Sequence, residues 1–215
     1  MPSHKGINCF IAVYGHALPE YGFKSDSATA ETHIISQDGE KYSIQLHFFD
    51  TGASRHDVEV WVDGHKLEYV TMDSPYDEIS LARLKDPSSK DRIVHAFFQF
   101  NALTITEDAS DGQESLDAER LGTIEVKIWR AQQEVSGLVP AVFADIPDYS
   151  TTVPEKSVKG RNISHGTVLA DMAPVQAPTG FGTNKIDPWD NPWVTFKFRY
   201  GSENVLRIEG LLSTQ

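Results

Sequence analysis

From Val194 to Tyr200 apolar and polar residues alternate without a break: Val194, Phe196, Phe198 and Tyr200 fall to one side, Thr195, Lys197 and Arg199 to the other. A side chain that changes face at every residue marks a β-strand with one dry side and one wet side. The same period recurs along the chain. It sets Ile7, Cys9, Ile11 and Val13 on one face, then Tyr42, Ile44, Leu46 and Phe48. It continues with Val58, Val60 and Val62 against Glu59 and Trp61, and with Ile124, Val126 and Ile128 against Glu125, Lys127 and Trp129. Strands with one polar face build antiparallel sheets that close on each other, so the pattern predicts an all-β fold, a jelly-roll-like antiparallel β-sandwich.

Turn chemistry adds connections. Asp38-Gly39 and Asp63-Gly64 supply the positive φ of tight turns, which predicts hairpins joining 31–36 to 41–49 and 57–62 to 67–72. Arg92–Asn101 is nearly continuous apolar sequence and reads as a central strand covered on both sides. A short helix is expected after Ser202, an N-cap residue, ending at Gly210. Residues 131–193 hold seven of the eleven prolines and few alternating runs, so they read as a long irregular Pro-rich excursion embedded in one domain spanning 1–215.

Composition narrows the functional classes. The net charge of −12 opposes phosphate-backbone binding, so no nucleic-acid partner is expected. The acidity is uneven: residues 151–215 carry 7 basic against 6 acidic side chains, and the excess lies before them. One cysteine, Cys9, excludes an intramolecular disulfide and fits a reducing compartment. No signal segment or membrane-length apolar run is present, which predicts an intracellular protein, cytoplasmic or nuclear, with no membrane partner.

Leu18-Pro19-Glu20-Tyr21, Trp61-Val62-Asp63-Gly64, Leu121-Gly122-Thr123-Ile124-Glu125-Val126 and Thr195-Phe196-Lys197-Phe198-Arg199-Tyr200 occur in that order. Before the last of these lies the basic stretch Glu155–Gly160, with His165 downstream. The series resembles a fungal domain family of unknown function. The resemblance implies a fungal source and an all-β domain, and carries no activity, cofactor or catalytic residue.

The chemistry-bearing clusters are few. Carboxylates at 107–119 invite a Ca²⁺ loop, but an EF-hand register puts Ala109 and Ala118 at ligand positions, so a solvated loop is the better reading. His33 and His47 would meet across the first predicted hairpin, too few ligands for a firm metal site, so no metal or cofactor is expected. Nucleophile elbows and phosphate-binding glycine loops are missing. Lys156, Lys159, Arg161 and His165 form a basic stretch able to grip an anion. Trp61 and Trp129 alternate with charged residues, and Trp189 and Trp193 follow among prolines and carboxylates, a set able to stack on a ligand or anchor a partner unless 131–193 covers it.

These features predict a non-catalytic module that binds a protein or peptide, or self-associates. A small-ligand or carbohydrate binder using the tryptophans is the alternative. An enzyme drawing on His95, His165 or the 107–119 carboxylates stands third.

Overall fold

The computed structural model describes residues 3–73, 75–89, 91–107, 120–140, 143–147, 152–177 and 179–212. In chain order they form β1 (Ser3–His4), β2 (Ile7–Val13), β3 (His16–Ala17), β4 (Glu20–Ser25), β5 (Thr29–Ile35) and β6 (Lys41–Phe48). Next come β7 (Arg55–Val62), β8 (His65–Met72), β9 (Tyr76–Ile79), β10 (Leu81–Lys85), β11 (Arg92–Ala102) and β12 (Thr104–Thr106). The remainder are β13 (Thr123–Pro140), β14 (Thr152–Pro154), α1 (Glu155–Val158), β15 (His165–Gln176), β16 (Thr179–Lys185), β17 (Val194–Gly201) and α2 (Glu203–Ile208).

The strands make an all-β sandwich. One sheet runs β1–β2–β6–β11–β10, with β3 on β2, β9 on β6 and β15 on β11. The second runs β4–β5–β17–β13–β7–β8, with β16 on β13, and β12 and β14 form a separate parallel pair. The inward sets read from the alternation meet between the sheets: Ile7, Cys9, Ile11, Ile44 and Leu46 from the first, Val58, Val60, Val62, Ile124, Val126, Ile128, Phe196 and Phe198 from the second, all fully buried. Each such side chain contributes about 1.5–3 kcal/mol by leaving water, which makes a slip of one residue in any of these strands costly. Cys9 is one of these core residues, and burial raises its thiol well above its ordinary range.

The two Asp-Gly turns have different outcomes. Asp63 (φ 50°) and Gly64 (φ 86°) close a true hairpin between β7 and β8. Asp38-Gly39 does not. β5 lies in the second sheet, antiparallel to β4 and parallel to β17, so both of its edges are taken before β6 can reach it. The turn instead carries the chain from one sheet to the other, and β11 holds it in place. The Asp38 carboxylate accepts the Ala102 N–H at 2.7 Å and the Gly39 N–H donates to the Phe100 carbonyl at 2.9 Å. His33 and His47 therefore lie in different sheets and form no pair.

β11 is central in its sheet, between β6 and β10 on one edge and β15 on the other, but it is not covered on both faces. Phe98 and Phe100 are buried, whereas Phe97 is 38% exposed under the Lys41 ammonium. The stretch 131–193 is mostly ladder rather than irregular: it holds the second half of β13 together with β14, α1, β15 and β16. Prolines helped hide these strands: Pro140 and Pro154 end β13 and β14, where a missing N–H is tolerated. Pro174 lies on β15, whose sole partner among the described residues is β11. The Ser202 cap holds, its hydroxyl accepting the Val205 N–H, and Gly210 (φ 73°) follows α2.

Candidate functional site

Asp63 is more than a turn residue. Its carboxylate is buried at the end of the sandwich, where Oδ1 accepts the N–H groups of Gly122 (2.7 Å) and Thr123 (3.1 Å) and Oδ2 accepts that of Thr167 (2.7 Å). The Tyr200 hydroxyl lies 2.8 and 2.7 Å from the two oxygens and continues through Thr167 Oγ1 to the Tyr42 hydroxyl. Strands of both sheets are tied to one carboxylate. Burial nevertheless outweighs these donors and raises Asp63 to about 6. Gly122 (φ 74°) brings the backbone close enough: a Cβ there would meet the Tyr200 carbonyl oxygen at 3.2 Å. This network is a structural lock that ties both sheets to one buried carboxylate.

The outer face of the second sheet carries three of the four tryptophans, Trp61, Trp129 and Trp189, while Trp193 turns toward the core. Trp129 on β13 is 3% exposed, covered by the loop 186–192, and its Nε1–H donates to the Pro188 carbonyl at 3.0 Å. Arg130 anchors that loop by a bidentate pair to Asp187, reinforced by the Arg130 N–H donating to the same carboxylate at 2.8 Å. Trp189 stacks on Trp129 with ring centroids 6.1 Å apart and planes 20° apart, yet stays 65% exposed. Trp193 is half-buried against the core, with the Arg130 guanidinium 3.7 Å from its ring centroid and the Lys5 ammonium at 4.4 Å. Trp61, also half-buried, donates to Glu59 at 3.1 Å and carries Lys127 above its ring. The segment 131–193 thus covers Trp129 and leaves one indole, Trp189, presented to solvent.

Between Trp129 and Trp189 lies a group the sequence reading did not single out. The Lys185 ammonium sits 3.6 and 3.5 Å from the two ring centroids and 5.5 Å from that of Tyr69. Desolvation lowers its pKa from the usual lysine range, and the carboxylates of Glu59 and Asp57 partly restore it. Asp57 is fully buried and accepts the hydroxyls of Tyr69 (2.9 Å), Thr71 (2.8 Å) and Thr183 (2.9 Å). Glu59, nearly as buried, accepts from Lys66 and Trp61. The alternation of β7 puts Asp57, Glu59 and Trp61 on one face. Placing Lys185 beside them required the β13–β16 pairing, opposite Ala131, which no local pattern announced.

Of the basic stretch, Arg161 lines a cavity of about 300 Å³ with Gly160, Asn162, Arg199, His33 and Glu209. Lys159 is exposed outside its lining, and the Lys156 side chain lies outside the described part of the structure. His165 is buried, its Nδ1 2.9 Å from the Ser164 hydroxyl, and lines no part of this cavity. Arg199 pairs with Glu31, and His33 lies 3.8 Å from Glu209, so the opening mixes both signs. Burial lowers the His33 pKa. A second cavity, of about 480 Å³, is lined by Thr51, His56, Phe48 and Asp73. There His56 stacks on Phe48, lies 2.7 Å from the Thr51 hydroxyl and is pushed down to about 4 by burial. His95 lines neither cavity. Of the acidic 107–119 segment only Glu107 falls among the described residues, so the Ca²⁺ reading lies outside them. Among the described residues no three His, Cys, Asp or Glu side chains are placed to hold a metal ion. No helix there is long and apolar enough to cross a membrane.

Fold and surface together define a β-sandwich with a buried carboxylate lock and an aromatic outer face. The chain belongs to the family described as a domain of unknown function (DUF7918), whose model matches residues 6–215. Neither a curated protein nor a solved structure matches it.

Proposed function

We propose that the protein is a non-catalytic recognition module of a reducing, intracellular compartment, which binds a protein partner or a second copy of itself through the outer face of the second sheet. One observation carries this reading: Trp189 is held open to solvent in a fixed orientation, stacked on a buried Trp129. A rigid exposed indole loses little entropy on binding, and tryptophan is among the residues that dominate interface energies. The loop that presents it is pinned by the Arg130–Asp187 pair, so its position exists before any partner arrives.

Other surfaces fit the role less well. The outer edge of β15 is blunted by Pro174 and by Asp171 in a left-handed conformation (φ 51°), which disfavours strand addition there. A photo-crosslinking residue in place of Asp190, beside Trp189, is expected to give an adduct with a partner or with another copy. The same residue in place of Glu78 on the other sheet is expected to give none. Light scattering after gel filtration then separates self-association from a foreign partner. Equal labelling from both positions, or none from Asp190, would remove the reading.

A second reading, a small-ligand binder, is favoured by the cavity that joins Arg161 to Arg199 and His33. It would take a small anionic or zwitterionic molecule, the guanidinium groups meeting carboxylate or phosphate. Calorimetry with inorganic phosphate and with a small dicarboxylate tests it. Heat that is unchanged in Arg161→Ala would discard it.

A further inference from the structure

A lysine ammonium carries three N–H donors, and Lys185 Nζ is buried with no hydrogen-bond partner among the described residues. What surrounds it is π surface: two nearly parallel indoles within 3.6 Å and a phenol ring at 5.5 Å. Three aromatic walls around a cation form the kind of receptor that favours alkylated ammonium groups, because ring quadrupoles attract the charge and an alkylated nitrogen has fewer hydrogen bonds to lose. Behind the cage the buried carboxylates of Asp57 and Glu59 add negative potential.

The walls differ in exposure. Trp129 is fixed by burial and by its bond to Pro188, whereas Trp189 is mostly exposed. Lys185 is the last residue of β16 and enters the cage on a flexible four-carbon stem. The present occupant is therefore poorly matched to its site in hydrogen bonding and tethered only at a strand end.

From this we infer that the slot between Trp129 and Trp189 is a receptor for a methylated lysine side chain of a partner protein, and that Lys185 is an internal plug which that side chain displaces. The inference rests on the recognition face proposed above and names the chemistry it selects. A free lysine amine would compete poorly, since it shares the hydrogen-bonding deficit of Lys185 and lacks its tether. A trimethylated one lacks the deficit.

The test uses the full chain and a short peptide containing trimethyllysine, its unmethylated counterpart, and tetramethylammonium as the bare headgroup, all read by indole fluorescence. Lys185→Ala is expected to bind the trimethylated peptide at least about tenfold more tightly than the wild-type chain, and the unmethylated peptide more weakly. Adding Trp189→Ala to that variant should abolish the response. In the wild-type chain, excess trimethylated peptide should make Lys185 more reactive toward amine acylation, a readout that does not depend on the emptied slot keeping its shape. A flat titration in Lys185→Ala together with unchanged acylation of Lys185 overturns the inference. So does a response that survives Trp189→Ala. Tetramethylammonium binding as tightly as the peptide would overturn the protein partner in favour of a small quaternary ligand. Crosslinking from position 190 alongside a flat titration would sink the cage and leave the recognition face standing.

Discussion

Asp63 and Lys185 are both charged side chains taken out of water, one in the lock at the sandwich end and the other on the outer face of the second sheet. The carboxylate is met by three backbone N–H groups and a tyrosine hydroxyl contributed by β13, β15 and β17 or their starts. Among the described residues the ammonium has no hydrogen-bond partner and sits against aromatic rings, with carboxylates only behind them. Hydrogen bonds from backbone are directional and cannot be re-formed elsewhere, so the first arrangement fixes the fold. Contacts with π faces depend weakly on direction and any cation can make them, so the second can exchange its occupant. A buried charge by itself therefore says little about function. The kind of partner that compensates it says more.

The largest effect is expected where the contrast is broken at the lock. Asp63→Ala leaves several buried donors unpaired and should cost about 4–5 kcal/mol of unfolding free energy, measured by denaturant titration, with the two sheets loosened at that end. Next is Trp129→Ala, which removes the fixed wall of the cage and should cost about 3–4 kcal/mol by the same measurement, because this indole is buried while its neighbour is not.

A pH comparison sharpens the difference. Asp63 is raised from 3.8 to about 6 in the fold, so its stabilising contribution is complete below about pH 4 and is lost as pH rises through about 6. His56, lowered from 6.5 to about 4, has the opposite sign: its contribution is present above about pH 6.5 and is lost as pH falls through about 4. The two slopes oppose each other across the same window. On going from pH 7 to pH 5, Asp63→Asn should lose about 1 kcal/mol relative to the wild type, since only the His56 slope remains; parallel melting curves at the two pH values would contradict this. The smallest effect belongs to Trp189→Ala. It should change stability by less than about 1 kcal/mol while abolishing crosslinking from position 190, and a large destabilisation would mean that this indole belongs to the core.

Much of the sandwich was legible in the sequence because alternation is local. Burial of Val58, Val60 and Val62, or of Phe196 and Phe198, follows from the period of the chain and needs no knowledge of neighbours. The candidate site was half legible. Glu59, Trp61 and Trp129 could be placed on outward positions of their strands, and a covering role for 131–193 could be anticipated as an alternative to exposure. Lys185 could not be placed there, because its cage walls come from β13, β8 and a loop, brought together by pairings distant in sequence. The basic stretch failed as a unit for the related reason that closeness in sequence is not closeness in space. Arg161 joins Arg199 of β17, while His165 enters the interior.

Sequence alone determined the alternating strands and their inward faces, the hairpin at Asp63-Gly64 and the cap at Ser202, since each depends on side-chain period or on backbone preferences within a few residues. Tertiary structure decided which strands pair. It turned Asp38-Gly39 into a crossover, set β5 parallel to β17, and gave Asp63 and Lys185 their opposite surroundings. Strand order is settled by which edges remain open once the two apolar faces close on each other, and that competition involves the whole chain at once.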